Sequence, residues 1–253
     1  MSQIQTDVVS EGERLAARAA EQELPLRLLG GVAIRLQARD KLPAIFVRDY
    51  GDIDWVTARG TTRATQGFFE DSGYTPQVRF NALNGKERLM FYDDINHRRI
   101  DVFVGTFRMS HEIPMDDRLQ VSPVTIPLAE LVMTKLQVAE LNEKDVKDAL
   151  TLFHGYPVGE GDDSAINRAR IASLCASDWG LWRTLTTNLD TCLRRLDGYD
   201  LPVEDKARMA ERLEQLADAI EREPKSRKWR LRARIGERKR WYELPEEVTG
   251  DPE

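Results

Sequence analysis

Cysteine is scarce: Cys175 and Cys192 are the only two in 253 residues, and neither sits in a Cys-x-x-Cys or Cys/His spacing. A structural zinc or a disulfide framework is therefore not expected, and a reducing cytoplasm is the expected setting. Histidine is as sparse. His97, His111 and His154 show no ligand or triad spacing and read as surface or loop residues. No run of about 18 apolar residues occurs, so no spanning helix and no membrane partner are expected. The opening "MSQIQTDVVSEGERLAARAAEQEL" is polar and acidic, unlike a signal peptide. No internal repeat is evident.

What is present is charge, unevenly placed. The net charge is −6, but Lys225 to Arg240 holds nine Lys/Arg and one Glu, a local +8. The remainder then carries 28 basic and 42 acidic residues, or −14. An acidic body with one basic segment points to a partner or substrate of matching charge more than the total does.

Along the chain, Val9 to Glu23 has helical spacing, and "LPLRLLGG" reads as a strand running into Gly30-Gly31. A helix, "VAIRLQARD", starts at the glycines; "DIDWVT" is the next strand and "TRATQGFFEDSGY" an amphipathic helix. "QVRFNAL" and "RLMFYDD" read as two strands joined by Asn84-Gly85, a hairpin signal. "RRIDVFVGTF" is a further strand, apolar at Ile100, Val102 and Val104, with Asp101 on the other face. Past "VSPVTIP" the chain turns helical, and "KWRLRARIGERKRWYEL" alternates basic and apolar residues like a hairpin turning at Gly236. The expected fold is therefore α/β (α+β), a mixed sheet with helices followed by a C-terminal helical bundle and a basic β-hairpin. The expected division is a catalytic domain over 1–120 and a helical domain with the hairpin over 121–253.

Within "RDYGDIDWVT", Asp52 and Asp54 are two residues apart in a strand and so project from one face. Two carboxylates so close repel unless a cation lies between them. Mg²⁺ favours a few carboxylates completed by water and substrate phosphates. Two such ions about 3.5–4 Å apart serve phosphoryl transfer by activating the attacking hydroxyl and neutralising the leaving group. Asp101, in an otherwise apolar strand, is the natural third carboxylate, as ligand and as base. Gly30-Gly31, between strand and helix, offers backbone N–H groups and the positive helix end to phosphate oxygens.

Together, Gly30, Gly31, Asp52, Asp54 and Asp101 resemble the signature of the nucleotidyltransferase superfamily with the polymerase-beta-like fold. "LGGVAIRLQARDKLPAIFVRDYGDIDWV" looks particularly like its AbiEii-type branch, toxins of bacterial abortive-infection and toxin–antitoxin systems. In that branch an Arg precedes the acidic strand, where Arg48 stands. A downstream helix carries a lysine, matched by Lys135, and a Lys-Asp-x-x-Asp helix follows, matched by Lys144, Asp145 and Asp148. The resemblance runs from about Leu26 to Phe153; Gly31 stands where many members have Ser, and 20 residues separate Gly31 from Asp52. It implies an NTP substrate, two Mg²⁺ ions on Asp52, Asp54 and Asp101, and transfer of the nucleoside monophosphate to a hydroxyl with release of pyrophosphate. Nucleotide contacts would come from Gly30, Gly31, Arg48 and Lys135, with Asp148 orienting Lys135 or another basic residue of the site. The implied acceptor is RNA such as tRNA, and the implied partner a separately encoded antitoxin.

Plainer roles compete. Asp52 and Asp54 fit a solvated strand end, Asp101 a salt bridge with Arg98 or Arg99, Lys135 a side chain leaving the bundle for water. Asp145 and Asp148 fit pairing with Lys144 or Lys147. Lys228, Arg230, Arg232 and Arg234, with Trp229, Trp241 and Tyr242 nearby, fit contact with single-stranded RNA or a charged edge that blocks aggregation. At the level of function, the alternatives are transfer to a small molecule such as an antibiotic, and a non-catalytic nucleotidyltransferase-fold binding module.

Overall fold

The computed structural model describes residues 4–244. Its first helix, α1 (Val8–Glu21), opens on Asp7, whose carboxylate accepts the Ser10 N–H at 2.7 Å, and buries Leu15, Ala16 and Ala19. Strand β1 (Leu26–Leu29) runs directly into α2 (Gly30–Ala38), and β2 (Asp52–Thr57) returns antiparallel to β1. After α3 (Thr62–Asp71), β3 (Thr75–Pro76) and α4 (Val78–Asn84) come β4 (Arg88–Asp93) and β5 (Arg98–Val104). The sheet order is β1-β2-β5-β4-β3, with β2 and β5 parallel and every other pair antiparallel. Ile53, Trp55, Ile100 and Val102 are fully buried, so the two central strands form the floor of the core. The outer edge of β1 is covered: Leu28 exchanges backbone bonds of 2.9 Å with Val124 and Ile126.

A short β6 (Thr106–Arg108) and β7 (Glu112–Pro114) pair follows, then α5 (Leu128–Leu136) and α6 (Glu143–Gly155). β8 (Val158–Gly159) and β9 (Ile166–Asn167) precede α7 (Arg168–Ser177), α8 (Trp179–Leu196), α9 (Val203–Arg222) and α10 (Arg227–Ile235). α5 is the hub of the helical part: only Lys135 among its nine residues is not buried. It packs on α2 from the sheet side and on α6, α7 and α8 from the other. Buried apolar side chains from Leu15 to Ile220 form one continuous cluster. The mixed α/β class read from the sequence is the one observed. Among the described residues, no helix is long and apolar enough to cross a membrane.

Two local expectations fail. Val78–Asn84 is helical, and Gly85 closes it in a right-handed conformation (φ −60°) instead of the positive φ a two-residue hairpin needs. The Asn81 side chain accepts from Met90 N and donates to Met90 O, at 2.7 and 3.0 Å, which fixes this helix against β4. The hairpin lies one step later, between β4 and β5, where Asp93 Oδ1 accepts the N–H groups of Ile95 and Asn96 and His97 takes φ 54°.

The basic hairpin is likewise a helix. Ser226 caps α10 by accepting the Trp229 N–H at 3.1 Å, and Gly236 (φ 59°) ends it. Lys, Arg, Leu and Ala are strong helix formers, and the alternation selected no strand because α10 buries none of its residues.

Candidate active site

β1 and α2 meet without an intervening loop, and the junction lies against β2. Leu29 pairs with Asp54, and in the parallel register Asp54 pairs with Asp101 while Asp52 pairs with Arg99. Asp54 and Asp101 therefore sit side by side, and Asp52 lies one step up on the same face. Gly30 and Gly31 open α2, which has no side-chain cap, so its first N–H groups face this end of the sheet.

The glycines are needed for the approach of the chain's own side chains. A Cβ on Gly30, whose φ is +70°, would come within 2.1 Å of Asp54 Oδ2. A Cβ on Gly31 would meet Arg48 Nη2 at 2.3 Å and the Tyr50 ring at 2.8 Å. Arg48 occupies the space where a serine side chain would stand, its guanidinium 4.2 Å from the Tyr50 ring centroid.

Arg48 and Lys135 converge on Asp148 of α6. Arg48 donates to both Asp148 oxygens, at 3.0 and 2.6 Å, and Lys135 Nζ lies 2.9 Å from Oδ2 and 3.4 Å from Asp145. Burial alone would raise the Asp148 pKa, but Lys135 and Arg48 outweigh it and hold the carboxyl below its ordinary range. Burial opposes the Lys135 charge in turn, and Asp148 and Asp145 more than offset it, so the ammonium stays above its ordinary range. This trio, with Asp148 buried and both cations partly so, ties the segment before β2 to α5 and α6. Lys144 and Lys147 are not the partners of Asp148.

Asp101 is 2% exposed and held by a residue that sequence reasoning missed: Arg88 of β4 donates Nε and Nη2 to its two oxygens at 2.6 Å each. Arg99 Nε stands 3.4 Å from Asp101 and its Nη2 3.9 Å from Asp52. Arg98 turns the other way, to Asp93 at 2.6 Å. No signal in the sequence marks Arg88, because its place depends on the register of β4 against β5.

Asp54 differs from its neighbours. Among the described residues its side chain has no hydrogen bond or ion pair. Burial, then Asp52, then Asp101 push its pKa up to about 8, with Lys135 and Arg99 relieving only part. Asp52, with its side chain 49% exposed, leaves the approach to Asp54 open. The pair thus fits a hard divalent ion completed by water or phosphate oxygens. No group of three or more His, Cys, Asp or Glu among the described residues is arranged to hold a metal together.

Two cavities flank Asp52 and Asp54. One, of about 500 Å³, is polar, lined by Gly31, Arg48, His97, Arg99, Lys135 and Lys144 among others. The other, of about 450 Å³, includes Gly30, Arg88 and Asp101 and has an apolar wall of Phe103, Phe107, Met109 and Val138. Leu244 lines this second cavity, and Glu243 N donates to Ser110 O at 3.0 Å, so the chain leaving α10 reaches the site. Of the basic residues singled out in α10, Arg232 is engaged: it donates to Gly236 O and Lys239 O and lies 4.6 Å from the Trp179 ring centroid. The side chains of Lys228, Arg230 and Arg234 make no ion pair among the described residues. His111 is buried against Thr184 (2.8 Å) and His154 lies near Asp205 (3.4 Å), so neither joins the site, whereas His97 does line the polar cavity.

No family model matches the chain, and no curated protein matches it. Among solved structures it is similar to the crystal structure of an antigenic nucleotidyltransferase-like protein from Paracoccidioides brasiliensis. Identity is 12%, the TM-score 0.41, and the match covers 88% of this chain and 96% of that one.

Proposed function

We propose that the protein is a nucleotidyltransferase that moves a nucleoside monophosphate from an NTP to a hydroxyl acceptor, releasing pyrophosphate. The observation that carries this reading is Asp54: a partly buried carboxyl that makes no hydrogen bond or ion pair among the described residues, beside Asp52 and at the start of α2, which has no side-chain cap. Asp52 and Asp54 would hold Mg²⁺, which when bound supplies charge neutralisation for the triphosphate and lowers the pKa of a coordinated hydroxyl. The chain's own contribution is to position the nucleotide. Gly31 at the start of α2 and Lys135 line the polar cavity, where the helix N–H groups and the Lys135 ammonium would take phosphate oxygens. Asp148 holds Lys135 and Arg48 in place, so that little ordering is left to do when the substrate arrives. Asp101 as a base would first have to release one of its hydrogen bonds to Arg88.

RNA as acceptor is supported by the path of the chain from the basic helix α10 through Leu244 into the cavity beside Asp54. The toxin role, with an antitoxin as partner, is supported by the AbiEii-like run from Leu26 to Phe153. Incubation with each labelled NTP, Mg²⁺ and total RNA tests the reading. Label in RNA that depends on Asp54 supports it; label only in a small-molecule acceptor moves the acceptor class. No Asp54-dependent transfer to any acceptor leaves a binding module.

A further inference from the structure

We infer that Arg88 takes the place of one of the two divalent cations, so that the chain itself holds a single ion, on Asp52 and Asp54. The inference rests on the transfer reading above and changes its metal count. Met90 pairs with Asp101 across β4 and β5, so Arg88, two residues away, emerges on the same face of the sheet as Asp101. Its guanidinium meets the carboxylate as a fork, Nε on Oδ1 and Nη2 on Oδ2, each at 2.6 Å. This bidentate geometry is the strongest that a carboxylate makes with a side chain.

The fork is held from behind as well: the Arg88 guanidinium lies 5.0 Å from the centroid of the Phe103 ring. Arg99 adds a second positive charge 3.4 Å from Asp101. Asp101 is thus neutralised with both oxygens engaged, whereas Asp54, its neighbour in the register, has no hydrogen bond or ion pair among the described residues. A dication ligated by Asp101 would have to displace Arg88 and leave a mostly buried guanidinium beside a new +2 charge. A dication on Asp52 and Asp54 displaces only the loose contact of Arg99 with Asp52, at 3.9 Å.

The test is a Mn²⁺ titration of the full chain, metal alone without nucleotide, following the paramagnetic signal of free Mn²⁺. The wild-type chain binds one ion. Asp101→Asn still binds one, weakened only by the Arg88 charge it uncovers, whereas Asp54→Asn weakens binding at least about tenfold further. Arg88→Gln, which frees Asp101 but nearly keeps the side-chain shape, binds a second ion, and adding Asp101→Asn abolishes it. Cooperative thermal unfolding of each variant verifies its fold, and Asp101→Asn alone decides the matter if Arg88→Gln does not fold. Two ions on the wild-type chain, one of them lost in Asp101→Asn, overturns the inference while leaving NTP-dependent transfer standing. No ion on the wild-type chain overturns it too, and absent transfer in the same preparation removes the reading on which it rests.

Discussion

Asp54 and Asp101 are partners in the parallel register of β2 and β5 and share a face, Asp101 buried and Asp54 partly so. Their surroundings nonetheless differ. Asp101 is gripped by Arg88 and approached by Arg99, while Asp54 packs against the bare Cα of Gly30 and is raised to about 8. Asp148, on the helical side, belongs with Asp101: it is buried and held by Arg48 and Lys135. The difference teaches that a carboxylate with its own cation is accounted for by the architecture, whereas one without a protein partner is the candidate to meet a ligand. In the first case burial and pairing balance; in the second the deficit persists until something binds.

The comparison breaks most visibly at Asp54. Asp54→Asn is expected to lower nucleotidyl transfer roughly a thousandfold, equivalent to several kcal/mol of transition-state stabilisation. In metal-free protein the same change should raise stability. The unfolded carboxyl gives up its proton near pH 3.8, the folded one near 8. The contribution of Asp54 to stability is therefore fully present below about pH 4, declines across that interval and is lost above about 8. Thermal melts in EDTA should show Asp54→Asn gaining most over wild type at pH 8 and little at pH 5; equal gains at both would sever Asp54 from the titration.

Arg88→Ala does the reverse. It strips Asp101 of its partner and should cost about 3–5 kcal/mol in urea unfolding, most of it recovered in the Arg88→Ala/Asp101→Asn double variant. Asp148→Ala should cost a similar amount by leaving Arg48 and Lys135 without their shared acceptor. Gly31→Ser should destabilise by about 1–3 kcal/mol, because its Cβ would strike Arg48 and Tyr50. A neutral or stabilising result there would show that Arg48 is free to move away. At the far end, Arg222→Ala breaks a pair with Asp218 in which both side chains are mostly exposed, and should change stability by less than about 0.5 kcal/mol.

Legibility in the sequence followed the range of the interactions. The β1–α2–β2 run could be read because strand, glycine pair and helix follow one another within "LPLRLLGGVAIRLQARD". The common face of Asp52 and Asp54 could be read because a strand repeats every two residues. Asn84-Gly85 misled because the Asn81–Met90 bonds hold its flank as a helix, and "KWRLRARI" misled because alternation means a strand only where one face is buried. Arg88 was invisible because no local pattern relates "KERLMF" to "RRIDVF" before the strands are aligned.

By itself the sequence determined the mixed α/β class, the local turn from β1 into α2 and the presence of two carboxylates on one strand face, since these depend on residue spacing and backbone preference over a few positions. Only the tertiary structure decided that Asp101 lies against Asp54, that Arg88 pairs with the first and no described residue pairs with the second, and that Asp148 serves Arg48 and Lys135 together. Those outcomes depend on which charges end up in contact in a medium too dry to screen them, and that is settled by register and packing across the whole chain.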